Sequence, residues 1–159
     1  MTMDAQALAS AGWTTIDADG FSTVVGTLWT RGAGTDLIVG FVADERHTNH
    51  HAGTVHGGAL MTFADIALGV GVVKALGGTN CATAQLQLQF IAAGRTGQLI
   101  TCRPEIIRQT SQLVFARGLL LADDKVVASA DGIWKVFDPE RGKAVGSTRS
   151  EVANHEDRP

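Results

Sequence analysis

Residues 59–76 read ALMTFADIALGVGVVKAL, the longest apolar stretch in the chain, bracketed by glycine pairs at Gly57-Gly58 and Gly77-Gly78. Its length and its Ala, Leu and Met content predict a helix, since these side chains lose little freedom on a helical backbone. The stretch is apolar on nearly every face, which marks a helix surrounded by protein rather than one lying on a surface. A membrane span is the competing reading, and Asp65 and Lys74 within eighteen residues make it a poor one.

Working outward from that helix, everything after Gly78 reads as strands. Residues 82–90, ATAQLQLQF, alternate cleanly: Ala82, Ala84, Leu86, Leu88 and Phe90 face one way, Thr83, Gln85, Gln87 and Gln89 the other. GQLITCRPEIIR (97–108), QLVFARGLLL (112–121) and KVVASADGIWKVF (125–137) follow, separated by short turns that imply antiparallel neighbours. Pro104 cannot donate to a ladder, so its strand is expected at an edge or bulged there. Upstream, STVVGTLWTR (22–31) and LIVGFVA (37–43) flank a GAGTD turn and read as a hairpin. The first twenty residues are Ala-rich with turn formers and hold at most a short helix. The sum is one buried helix and about six strands, an α+β class in which an antiparallel sheet of five to six strands curls around the helix.

The chain has 159 residues, 45% hydrophobic and 18% charged, with a net charge of −3. That is one domain's worth of sequence, with too much apolar content for a wholly disordered chain. The absence of basic excess argues against a dedicated nucleic-acid binder. Cys81 and Cys102 are too few for a disulfide scaffold and lack zinc spacing, and no secretory leader is recognisable, so a reducing cytoplasm is the expected setting. Residues 138–159 carry almost no apolar side chains and read as a loose tail.

Against this background Asp65 is out of place. It is the sole carboxylate between Glu45 and Glu105, flanked by Phe63, Ala64, Ile66 and Ala67. Burying an unpartnered carboxylate costs several kcal/mol, so it is either a catalytic group or an acid turned to solvent or tying down backbone. If largely desolvated it would be a stronger base near neutral pH. His56-Gly57-Gly58 precedes the helix, where unpaired N–H groups and the positive dipole end can polarise a carbonyl; the same pair could equally be a tight turn. Gly58 and Asp65 are seven residues apart, about 10 Å along a helix axis. One reacting carbonyl cannot touch both within a single helix. If the two act together, the amides come from one subunit and the carboxylate from its twin, giving a two-fold dimer with composite sites. His47, His50, His51 and His56 raise metal binding as an alternative, but no metal-ligand spacing accompanies them. The two cysteines lack a base partner and read as inert thiols.

The run HTNHHAGTVHGGALMTFADIALG, from His47 to Gly69, resembles the signature of the PaaI-like branch of hotdog-fold acyl-CoA thioesterases. That signature has Asn, a spacer, G-x-x-H-G-G and an Asp, matched here by Asn49, Gly53, His56, Gly57, Gly58 and Asp65. The resemblance extends over residues 21–137, the expected hotdog domain, with residues 1–20 as an N-terminal helical and loop segment. It implies an antiparallel sheet around the helix, a homodimer that extends the sheet, and a dimer of dimers, hence a homotetramer. It implies Asp65 as general base or nucleophile, Gly57 as oxyanion donor, Asn49 as an orienting group, Thr83 as an assisting hydroxyl, and His56 in the turn or on the thioester. Strand alternation sets Thr83 opposite Leu86 and Leu88, so it reaches Asp65 only through a bulge or at a strand end. Gly58 and His50 are further substrate contacts, His50 also being the alternative occupant of the Asn position, and Arg95, Arg108 and Arg117 are candidates to meet coenzyme A phosphates. No metal or redox cofactor is implied; coenzyme A enters as part of an acyl- or aryl-CoA substrate, and neither nucleic acid nor membrane is a partner.

Two further functions compete. A non-catalytic acyl-CoA binding or sensing protein would use the same fold, and the presence of Asp65 favours the enzyme. A dehydratase or hydratase needs a catalytic His paired with an acid, and no such pairing surrounds Asp65. Leu60, Met61, Phe63 and the loop from Arg31 to Asp36 are the residues expected to shape the acyl pocket.

Overall fold

A computed structural model describes residues 4–49 and 53–137. The Asp4 carboxylate accepts the Ala7 N–H at 2.7 Å and so starts a short helix, α1 (Ala5–Ser10). Strands β1 (Thr14–Ile16), β2 (Leu28–Arg31) and β3 (Ile38–Val42) follow as an antiparallel meander. The expected hairpin is therefore present, but its first half is shorter than predicted. Gly20–Val25 forms a 3-10 helix instead of strand, because Gly26 takes φ +80° and turns the chain between Val25 and Leu28.

The central helix, α2, spans Gly57–Ala75. Leu60, Phe63, Ala64, Ala67, Leu68, Gly71 and Val72 are its buried residues, a stripe at helical spacing that packs into the sheet. Elsewhere on the helix Met61 is exposed, and Asp65, Gly69 and Val73 are only partly covered within one chain. The prediction of a helix enclosed on all faces is met on one side only. The helix is long and apolar enough to cross a membrane, yet its buried stripe is core against the sheet.

Beyond α2 lie β4 (Cys81–Phe90), β5 (Leu99–Cys102), β6 (Glu105–Gln109), β7 (Leu113–Ala122) and β8 (Lys125–Val136). All pairings are antiparallel, in the order β1-β2-β3-β5-β7-β8-β4, with β6 joined to β7 alone. The sheet thus has eight strands, where five to six were expected. β1 adds one from the N-terminal segment, and Pro104 splits residues 97–108 into β5 and β6. Pro104 turns inward onto α2, where a Cβ on Gly71 would lie 2.3 Å from the proline ring. β4 and β5 are not neighbours despite their short connection, which crosses the end of the sheet, leaving β4 as an edge strand.

Two apolar clusters result. Phe41, Phe63, Leu68, Ile100, Leu120 and Trp134 form the interior between α2 and the sheet. Leu8, Trp13, Trp29 and Leu99 form a smaller one that includes side chains of α1 and the segment following it. The expected tail, residues 138–159, lies outside the described residues.

Candidate active site

The His56 ring caps α2 by accepting the Gly58 N–H at Nδ1, 2.8 Å. That bond puts the proton of the neutral ring on Nε2. The His56 carbonyl takes the N–H groups of Ala59 (2.9 Å) and Leu60 (3.2 Å). Of the first four helical N–H groups, Gly57 alone has no partner among the described residues. It is the donor left free for an incoming oxygen. Side chains at either glycine would crowd a neighbour. A Cβ on Gly57 would meet the Phe90 ring at 3.2 Å, and one on Gly58 would meet His56 Nδ1 at 2.9 Å.

His47, buried, fixes the approach to this turn. Its Nε2–H donates to the Val25 carbonyl and its Nδ1 accepts the Asp44 N–H, both at 3.0 Å. Its own carbonyl accepts the His56 N–H at 2.7 Å. Through its ring and its carbonyl, this one residue ties the 3-10 helix, the turn after β3 and the start of α2 together. Sequence reading placed His47 only among loop histidines; the signal was its reach to Val25, twenty-two positions away, which no local pattern reveals.

Asp65 is half-buried, not the largely desolvated carboxylate supposed from its neighbours. The Thr83 hydroxyl donates to its Oδ1 at 2.6 Å. The contact exists because β4 is bulged: Thr83 pairs with Trp134 and Gln85 with Ile133, so one residue is inserted between them. The bulge brings Thr83 onto the same face as Leu86 and Leu88 and moves Ala82 and Ala84 out of the predicted inward set. Cys81, two residues before Thr83, is part-buried; burial and the Asp65 carboxylate hold its thiol above the ordinary value.

The remaining candidates divide. Asn49 directs its side chain to the Thr54 hydroxyl (3.5 Å) and its backbone N–H to the Thr54 carbonyl (2.9 Å), within its own loop. His50 lies outside the described residues. Arg95 sits on the connection after β4 and bridges Thr54, two residues before His56; Arg108 lies on β6, opposite Phe115. Arg117 is engaged by Glu105 at 2.8 and 3.1 Å, a pairing that holds the Glu105 carboxyl below its ordinary range. Among the described residues, no three His, Cys, Asp or Glu gather as metal ligands would. Leu60 and Phe63, expected to shape the acyl pocket, are core residues, whereas Met61 stays 41% exposed.

Two cavities adjoin α2. One, about 320 Å³, opens at the helix start beside His56 and Gly58. The larger, about 890 Å³, is lined by Gly71, Pro104, Arg117 and Leu119, and by Gly34 and Thr35 of the loop expected to shape the acyl pocket. Gly71 is buried against Pro104 whereas Asp65 turns to β4, so the larger cavity holds none of the candidate catalytic groups.

Residues 52–129 match the family model of the thioesterase superfamily. The Pseudomonas aeruginosa protein named "Putative esterase PA0474" is 32% identical over 99 residues, covering 62% of this chain and 73% of the relative. Zebra fish thioesterase superfamily member 2 superposes with a TM-score of 0.68 at 22% identity, over 76% of this chain and 89% of that one. The E. coli PaaI protein from the phenylacetic acid degradation operon gives 0.60 at 18% identity, over 84% and 85%. A Streptococcus pneumoniae hypothetical thioesterase with coenzyme A gives 0.61 at 17%, over 69% and 85%. A relative that similar over most of its length, and a sheet folded around one long helix as in those structures, make the chain a member of the thioesterase superfamily with the hotdog fold.

Proposed function

We propose that the protein hydrolyses an acyl- or aryl-CoA thioester to the free acid and coenzyme A, at sites shared between two copies. The observation that carries this reading is a free N–H at Gly57 on the same helix as an Asp65 held by Thr83. In the reaction, the thioester oxygen accepts the Gly57 N–H, and Asp65 either removes a proton from attacking water or attacks the carbonyl carbon itself. The tetrahedral oxyanion collapses, the C–S bond breaks, and the leaving thiolate takes up a proton; where Asp65 is the nucleophile, water then cleaves the resulting mixed anhydride, releasing the acid and restoring the carboxylate. One such donor is worth about 3–4 kcal/mol in the transition state. Arg95, near the turn, is a candidate for the coenzyme A phosphates, and Asn49 would have to leave Thr54 to orient water or carbonyl.

Gly57 and Asp65 are eight residues apart, about 12 Å along the axis, too far to share one carbonyl within a chain. A second copy supplies the missing half. The partly covered face of α2 and the free edge of β4 flank Asp65 and support pairing through that side. A homodimer, and a dimer of such dimers, follows the same reading.

Release of free thiol from a panel of coenzyme A esters tests the proposal. Wild type is expected to turn over at least one ester, and Asp65→Asn to lose turnover while retaining saturable binding. Turnover by the variant at the wild-type rate removes Asp65 from the reaction. Binding by wild type with no turnover across the panel would favour a sensing role.

A further inference from the structure

The cleft at the start of α2 runs between two elements, the 3-10 helix Gly20–Val25 and the first turns of α2. Val24, Val25 and Ala59 give it apolar walls, and His56 and Gly58 stand in its lining beside the free Gly57 N–H. Thr62 completes the wall, with its hydroxyl already donated to the Gly58 carbonyl at 2.9 Å. Val24 is 56% exposed at this cleft, an apolar side chain left in water next to a reactive turn. It also lies outside residues 52–129, the region that matches the family model.

We infer that Val24 and Val25 form the acyl subsite of this enzyme and select a compact acyl group, of benzoyl or hexanoyl size, over a long straight chain. The inference rests on the thioesterase reading above. A carbonyl oxygen on the Gly57 N–H leaves the acyl substituent beside Gly58 and Ala59, where the cleft begins. Its volume of about 320 Å³ is at the low end of the range for small-molecule sites, about 300–1,000 Å³. A palmitoyl chain would leave most of its methylenes in water, whereas a compact group is covered by valine, alanine and threonine. Arg46, held by Asp44 at 2.8 Å, also stands in the lining, so the cleft has a polar rim beside its apolar wall. The His47 bond to the Val25 carbonyl holds the 3-10 helix at its distance from α2, so cleft width is set by the fold.

The test is kcat/KM for acetyl-, benzoyl-, hexanoyl- and palmitoyl-CoA with wild type, Val24→Trp and Val24→Ala. Each methylene in an apolar pocket is worth about 10–200-fold in selectivity. Wild type should favour benzoyl- or hexanoyl-CoA over palmitoyl-CoA by about tenfold or more. Val24→Trp, filling the cleft, should cut the benzoyl and hexanoyl values about tenfold, mainly through KM, and the acetyl value less. Val24→Ala should raise the palmitoyl-to-hexanoyl ratio, and as a truncation at an exposed position it covers the case in which tryptophan misfolds. A palmitoyl preference in wild type, or Val24 variants that scale every ester alike, overturns the subsite while leaving the thioesterase standing. Absence of hydrolysis across the panel brings down the thioesterase reading itself.

Discussion

Thr83 reaches Asp65 through a single short hydrogen bond, and that bond sets which lone pairs of the carboxylate remain for water. Hydrogen bonds to charged groups are worth about 1.5–3 kcal/mol, less where solvent competes as it does here. Thr83→Val should therefore lower kcat about tenfold with little change in KM, and Thr83→Ser should retain most of it. Steady-state hydrolysis separates the two; a valine variant at full rate would show the hydroxyl to be incidental. Asp65 and the glycine pair were legible in the sequence because their residue types contradict their surroundings: an acid among apolar neighbours, two glycines where a helix starts. Thr83 was legible only through the family resemblance, since alternation pointed it the wrong way and a bulge is invisible in residue pattern. His47 was visible only as one of four loop histidines and Val24 only as part of a strand-like run, because what matters about them is a contact between distant segments.

Among the elements, the break between β5 and β6 shows how one proline reshapes a strand. Pro104 leaves the ladder and seats against Gly71, the position on α2 where the absence of a side chain lets the two approach. Gly71→Ala would drive a methyl into the proline ring, and overpacking of this kind costs about 1–3 kcal/mol. For a chain of this size the melting temperature should fall by about 2–10 °C, and Pro104→Ala added to it should restore part of the loss. Additive destabilisation by the two changes would mean that they do not meet. On β5, burial pushes the Cys102 thiol up to about 12. Its thiolate is scarce at pH 8, so iodoacetamide should leave Cys102 unlabelled in the native protein and modify it after denaturation. Rapid native labelling at Cys102, read by peptide mass, would contradict the burial. Because the folded thiol titrates above its ordinary value of 9.0, this contribution to stability is intact below pH 9 and fades as pH rises toward 12. Sequence reading recovered the helix and the strands after it, where apolar runs are long and turns are marked. It took the 3-10 helix for a strand because β-branched content dominates Ser22–Val25, and the decisive Gly26 conformation is a backbone property.

At the scale of the whole molecule, the proposed reaction draws on two groups, the Gly57 N–H and the Asp65 carboxylate, that sit too far apart on one helix to meet at one carbonyl within a chain. Composite sites make a prediction that no single variant can. Gly57→Pro deletes the N–H while keeping a residue favoured at the first helical position, and the extended His56 (φ −65°, ψ 138°) already suits the residue before a proline. Phe90→Leu in the same chain makes room for the new ring, which would otherwise press on the aromatic edge. This double variant should keep its helical signal and lose about 100- to 1,000-fold in kcat. Mixed by partial denaturation and refolding with Asp65→Asn, it should regain activity. Half the dimers are then mixed, and each mixed dimer has one site with both an intact Asp65 and an intact Gly57. About a quarter of the wild-type rate is expected if the sites are shared across a two-fold axis. If each chain worked alone, every site in a mixed dimer would carry one defect, and the mixture would stay as inactive as its components.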